Sequence, residues 1–310
     1  MLTNADLLRL SEPLEAVYAD TGTSLLINAA GFFDDIKDIT PDEWRLRMLA
    51  QIGRLTDESI EIIAAATGVA PDMLKKALED AAQMELKDVD AALANAVKAG
   101  KISAPVVGAA TDTRVYQTIQ ALALQAGERL SLVNSTMLNS TLQAYVSAVN
   151  IGYAEAASVL NAAATGTAIG IDSLRSAVRK SIKQIGDMGI TGYVDSAGRN
   201  WTPEAYVNMV VRTTTHNAAI QATVAEAADY GVEVFQVSTH NGARPLCAPY
   251  QGKFYTWGST GGVVHDLDDA PHPYEPISVT SYGEPAGLFG INCGHRPIPF
   301  VDGFSVPAST

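Results

Sequence analysis

Residues 189–219 read GITGYVDSAGRNWTPEAYVNMVVRTTTHNAA, and this stretch decides how the chain is divided. Tyr193-Val194 and Asn200-Trp201 flank a run of turn formers, Asp195 to Gly198, which predicts a short β-hairpin. Thr202 then offers a side-chain oxygen as N-cap, and Pro203 stands at the first helical position, where its missing N–H costs nothing. A helix is predicted from there to about residue 230. Two halves of different texture meet just beyond it, near residue 231.

Upstream of the hairpin the periodicity is helical. TPDEWRLRMLAQIGRL opens with Thr40 as N-cap, Pro41 and Glu43, the pattern of a capping box. TDESIEIIAAATGV, APDMLKKALEDAAQMEL and VDAALANAVKAG follow as three separate short amphipathic helices. Residues 1–105 are expected to form a helical domain, and GKISAPVVGAATD, residues 100–112, a linker. A long helix is predicted from about 111 to 161, with Leu138, Leu142, Tyr145, Val149 and Tyr153 on one apolar stripe. Its other faces are Ser, Thr, Asn and Ala, so it is expected to lie between neighbouring helices or subunits. In IDSLRSAVRKSIKQIGDMG, Ile171, Leu174, Val178, Ile182 and Ile185 should face inward. Arg175, Arg179 and Lys183 then form a basic stripe, either a solvated face or a contact for DNA or an acidic partner.

The balance of residues narrows the function classes. In 310 residues the formal net charge is -13, with 47% hydrophobic and 18% charged residues, which suits packed helices and argues against disorder. An acidic body is repelled by a duplex, so wrapping of nucleic acid by the whole surface is excluded. No run of about 18 apolar residues is present to span a bilayer, and MLTNADLLRLSEPLEAV lacks the basic start and apolar centre of a signal peptide. Two cysteines make no disulfide framework.

Downstream of residue 231, β-rich runs such as VEVFQVS and KFYTW alternate with glycine, proline and asparagine. Both cysteines and four of the five histidines lie here. THNGARPLCAPYQGKFY and GINCGHRP bring one close-spaced pair each: Cys247 with His240, and Cys293 with His295. Thiolate and imidazole ligands from two loops are what a structural zinc ion takes. The spacings are those of neither a zinc finger nor a zinc ribbon. The residues alone therefore leave four states open: a structural metal, reduced cysteines packed as small hydrophobes, a Cys247–Cys293 disulfide, and a catalytic thiolate, for which no converging histidine and orienting group show in the sequence. VVHDLDDAPHPY, with His265, Asp266, Asp268, Asp269 and His272, offers ligands for a hard or borderline cation, but its prolines and aspartates have the composition of an exposed polar loop, which is the expectation here. His216, four residues after Arg212, pairs with backbone or solvent on this view. There is no Walker phosphate loop, dinucleotide fingerprint, His-Glu-x-x-His or zinc-deaminase signature.

TPDEWRLRMLAQIGRL, the stretch 189–219, STHNGARPLCAPYQGKFY and YGEPAGLFGINCGHRPIPF together resemble the type 2 phage minor capsid proteins, relatives of the phage Mu F-like head morphogenesis proteins. The likeness is close over about 189–300 and weaker over 1–165. In that family the position of Cys247 is often histidine, with an arginine before it like Arg244 and a glycine after it like Gly252. Such interchange suits a metal ligand and not a nucleophile. Cys293-Gly294-His295 stands where many F-like relatives have Cys-Arg-Cys. The resemblance implies a mainly α chain: a helical domain over 1–105, a long-helix body over 106–188 and a small α/β, β-rich F-like domain over 189–310. It implies a non-enzymatic component of the phage head, assembled in the host cytoplasm and placed in the virion near the portal vertex. There it would assist capsid assembly and genome packaging or delivery. Its partners would be the portal and capsid shell proteins, in multiple copies, with minor DNA contact and no membrane. Its only cofactor would be a structural zinc on His240, Cys247, Cys293 and His295. The alternative is a virion-delivered, toxin-like metal or thiol enzyme using Arg212, His240, Cys247 and His295.

Overall fold

A computed structural model describes residues 2–33, 40–105, 110–164 and 171–308. The fold is mainly α. Helix α1 spans Asn4–Gly31, α2 Pro41–Ala50, α3 Ile52–Thr67, α4 Ala70–Lys98, α5 Ala110–Ala164, α6 Ile171–Met188 and α7 Pro203–Asp229. The predicted capping box is present: Thr40 Oγ1 accepts from the Glu43 N–H, and the Glu43 carboxylate accepts from the Thr40 N–H at 2.8 Å. The predicted hairpin is present as β1, Tyr193–Val194, paired antiparallel with β2, Asn200–Trp201. Two expected helices prove to be one. Residues 70–98 run as α4 without interruption, because Leu86 to Asp90 hold no glycine or proline to end it.

The division expected at 1–105, 106–188 and 189–310 follows the chain, whereas compactness follows space. One unit comprises Met1–Glu12, Pro71–Gly127 and Asn208–Thr310, the other Pro13–Ala70 and Glu128–Val207. Among the described residues, the regular elements of the second unit are helices and the β1–β2 hairpin. Its core gathers Ala29, Phe32, Trp44, Met48, Leu55, Tyr145, Ala148, Val149 and Ile185. Tyr145 is fully buried, with Phe33 edge-on at 5.0 Å and its hydroxyl donating 3.0 Å to the Met48 carbonyl, so its polar tip is satisfied. The apolar stripe predicted on α5 is thus the core face: Tyr145 and Val149 are buried, and Leu142 and Tyr153 pack against them. On α6 Ile185 is buried, but Ile182 is exposed; the Ile171, Leu174 and Val178 side chains lie outside the described residues.

The first unit carries a five-stranded sheet. Strands β3 (Val234–Val237), β4 (Phe254–Thr256), β5 (Gly262–His265), β6 (Pro271–Pro276) and β7 (Pro297–Pro299) run in the order β5-β6-β4-β3-β7. Only β4 and β6 pair in parallel. One sheet face presents Phe235, Val237 and Tyr255 to Ile220 of α7 and to Ile277, Leu288 and Phe289 of the last loops. The other gathers Phe254, Val264 and Phe300. At the β7 edge the Phe300 N–H donates to Val234 and the Arg296 carbonyl accepts from Ser238. The N positions of Pro297 and Pro299 therefore point away from β3, which blunts the edge against stray pairing. Residues 263–274, expected as a polar loop, form the β5–β6 hairpin instead. Asp266 closes its turn, accepting from the N–H groups of Asp268 and Ala270, and its carboxylate contacts His272 Nε2 at 3.1 Å. The alternation Val263, Val264 against prolines obscured a strand whose partner lacks every second N–H.

Candidate metal centre

Three loops of the first unit converge on Cys247 and Cys293. Residues 244–248 form a tight turn in which the Arg244 carbonyl accepts from the N–H groups of Cys247 and Ala248, each at 2.8 Å. Ser281 ties this turn to the next loop: its hydroxyl donates 2.7 Å to the Leu246 carbonyl and accepts from the Leu288 N–H at 3.0 Å. A Cβ on Gly287 would stand 1.9 Å from the Ser281 carbonyl oxygen, so only glycine passes there. Phe289 and Asn292, at φ 61° and 53°, take left-handed conformations that side chains seldom adopt. That twist aims the Phe289 N–H at Cys293 Sγ, 3.2 Å away. Helix α7 holds the loop from beneath, with Thr213 Oγ1 accepting from the Asn292 N–H and His216 Nε2 donating 2.8 Å to the His295 carbonyl.

Cys247, Cys293 and His295 come together, all buried, with their ligand atoms within 4.8 Å of one another. The two Sγ atoms are 3.9 Å apart and both thiols are free, so there is no disulfide. Cys293 Sγ lies 3.3 Å from His295 Nδ1. A tetrahedron built on zinc–sulfur and zinc–nitrogen bonds of ordinary length has S···S edges of about 3.8 Å and S···N edges of about 3.5 Å. The S···S and Cys293–His295 spacings are close to those figures and the third edge lies within 4.8 Å, so these residues could hold a metal ion. His240 stands outside the trio but against it: its ring lies 4.2 Å from that of His295. A carbonyl can only accept, so His240 Nδ1–H donates to the Asn241 carbonyl at 3.1 Å. In the neutral ring Nε2 is then the bare nitrogen, and it is buried without a hydrogen-bond partner. A ligating histidine is typically oriented in this way.

The electrostatics speak against nucleophilic attack. Burial, aided by His240, His216 and Arg244, pushes His295 down to about 4, so its imidazole is neutral near pH 7, as a ligand must be. His216 is likewise held at about 4, chiefly by burial. Burial raises the Cys293 thiol above its ordinary value, the reverse of what an activated thiolate requires. Arg212 lies on α7 one turn before His216, and no described residue pairs with its buried Nε.

The sequence named the four residues, and the structure unites three of them. It did not expose the supports, Thr213, Ser281 and the Phe289 N–H, because a hydroxyl or a peptide group carries no signature until the loops meet. His216 was expected to bond backbone or solvent, and it bonds backbone. Of the basic stripe, Arg179 and Lys183 are exposed on α6, and Lys183 pairs with Asp187 at 2.5 Å. The Arg175 side chain lies outside the described residues.

The fold and cluster define a mainly α class of protein, with a long-helix body and a small sheet whose loops meet at buried thiols. The family described as phage minor capsid protein 2 matches residues 2–310, and the chain belongs to it. It is therefore a phage structural protein and a component of the virion. It is also similar to a structural protein of Lactococcus phage LL-H, 27% identical over 282 residues, covering 88% of this chain and 69% of that protein. No solved structure gives a significant match. Among the described residues no helix is long and apolar enough to cross a membrane.

Proposed function

We propose that this minor capsid protein works at or near the portal vertex of a tailed phage, contacting portal and shell proteins in several copies, and that it assists head assembly and genome packaging or delivery. The observation that carries this reading is the family match across residues 2–310. A formal net charge of -13 agrees with it, because a body so charged inside a DNA-filled shell is repelled by the genome and engages protein instead. DNA contact, where it occurs, falls to the exposed basic groups of α6. Within the F-like module, residues 189–310, the cluster acts as a clasp: zinc held by Cys247, Cys293 and His295, with the bare Nε2 of His240 as fourth ligand. Cross-linking of intact particles followed by peptide mapping tests the location. Cross-links from this chain to portal peptides are expected; cross-links confined to tail proteins would refute it.

One feature favours a second reading, a metal-dependent enzyme. Two thiols and one imidazole with a fourth position open is also a catalytic donor set. His240 separates the two. If it closes the coordination sphere, His240→Ala weakens metal binding. If that variant keeps its affinity and the protein hydrolyses a test ester or phosphodiester, the enzyme reading prevails.

A further inference from the structure

Both sides of the last ligand are pinned by buried polar groups that lie far away in the chain. On one side, His216 holds the His295 carbonyl. On the other, Arg296 Nη1 donates 2.7 Å to the Leu2 carbonyl, and the Leu2 N–H donates 2.6 Å to Glu85 Oε2 on α4. Glu85 is 3% exposed, and it is the one buried carboxylate among the described residues. Leu2, Glu85, His216 and Arg296 line a single cavity of about 10 Å3, the size of one water. A buried carboxylate is costly unless its hydrogen bonds are answered, so its place on one cavity with the half-buried Arg296 calls for a role.

The hydrogen bonds supply one: Glu85 reaches the centre through a backbone it holds directly, Leu2, whose carbonyl in turn holds Arg296 next to His295.

We propose that Glu85 is a positioning residue for the metal centre. Through Leu2 and Arg296 it fixes the chain directly after His295, while His216 fixes the carbonyl of His295 itself. The imidazole is thereby held at Cys293 before any ion binds, so binding carries less of the ordering cost. This rests on reading the cluster as a metal centre.

The test compares zinc affinity, by competition with a chromophoric chelator, in the full chain and three variants. Glu85→Ala should weaken zinc binding about 10- to 100-fold, the range for lost support of a ligand. Glu85→Gln keeps an oxygen to accept from the Leu2 N–H and should recover most of the loss. Leu93→Ala removes a buried side chain from a separate apolar cluster and should stay within about threefold of the parent. A second readout needs no metal: in the reduced, zinc-free protein, Glu85→Ala should speed disulfide-reagent labelling of Cys247 and Cys293 well beyond Leu93→Ala. Should Glu85→Ala not fold, Arg296→Gln cuts the same chain of bonds and replaces it, with the same losses expected. If the parent binds no zinc, the metal reading falls and labelling alone decides the positioning role. Parent-like affinity and labelling in Glu85→Ala, or equal effects from Leu93→Ala, overturn it.

Discussion

The core around Trp44 and Tyr145 and the loops around Cys247 and Cys293 are both buried, yet they are held by different physics. The first is apolar side chains from helices, closed by aromatic edges and one tyrosine hydroxyl. Its energy is area removed from water, spread over many residues and tolerant of where each atom sits. The second is short on side-chain volume and dense in directed bonds: a thiol 3.2 Å from a backbone N–H, an imidazole 3.3 Å from that thiol, a carbonyl gripped by His216. Its residues adopt left-handed backbone and its glycine admits no side chain. Such a place is ordered by a few strong constraints, and it should fail abruptly when one is removed.

Four experiments press on that contrast, beginning with the largest effect. A strong chelator should destabilise the thiol-bearing unit by about 5 kcal/mol or more, since metal binding to a preformed site adds directly to folding. Hydrogen exchange should rise across 244–250 and 287–296 while 44–55 and 142–149 stay protected; uniform exchange, or none, would erase the distinction. Next, Trp44→Ala should cost about 3–5 kcal/mol by urea denaturation, as cavities left by large aromatics do, with bound zinc unchanged. Gly287→Ala should cost about 2–3 kcal/mol, because the added methyl meets the Ser281 carbonyl and must displace it. Unlike Trp44→Ala, it should also lower zinc affinity.

The smallest effect lies in the hairpin, where the Asp195 carboxylate accepts from the Arg199 and Ala197 N–H groups and from the side chains of Arg199 and Trp201. Those bonds hold its pKa at about 2, against an ordinary 3.8. A depressed folded pKa means stability that is present above 3.8 and is lost as pH falls through 2. The Trp201 indole N–H resonance should therefore shift between pH 4 and pH 2, and Asp195→Asn should abolish that transition.

How much was legible beforehand follows the same contrast. Thr40, Pro41 and Glu43 announced α2, and Tyr193 to Thr202 announced the hairpin and the start of α7, because caps and turns are settled by neighbours in sequence. The break expected between α4's two halves was an error of the same local kind: only Lys87 and Asp88 separate the two expected segments, and a helix tolerates both. Strands β5 and β6 were missed because Pro271, Pro273 and Pro276 read as loop, and only the pairing partners show that β6, between β5 and β4, can do without their N–H groups. At the cluster, residue chemistry pointed to Cys247, Cys293 and His295. The supports from Thr213, His216 and Ser281 depend on contacts 35 to 79 residues apart, which no local pattern encodes.

The clasp is tested most directly by metal content in the full chain purified without chelator. The prediction is one zinc per chain by mass-spectrometric elemental analysis, falling to none in Cys293→Ser and Cys247→Ser while the helical signal persists. A folded parent protein carrying no metal, and failing to take up added zinc, would contradict it.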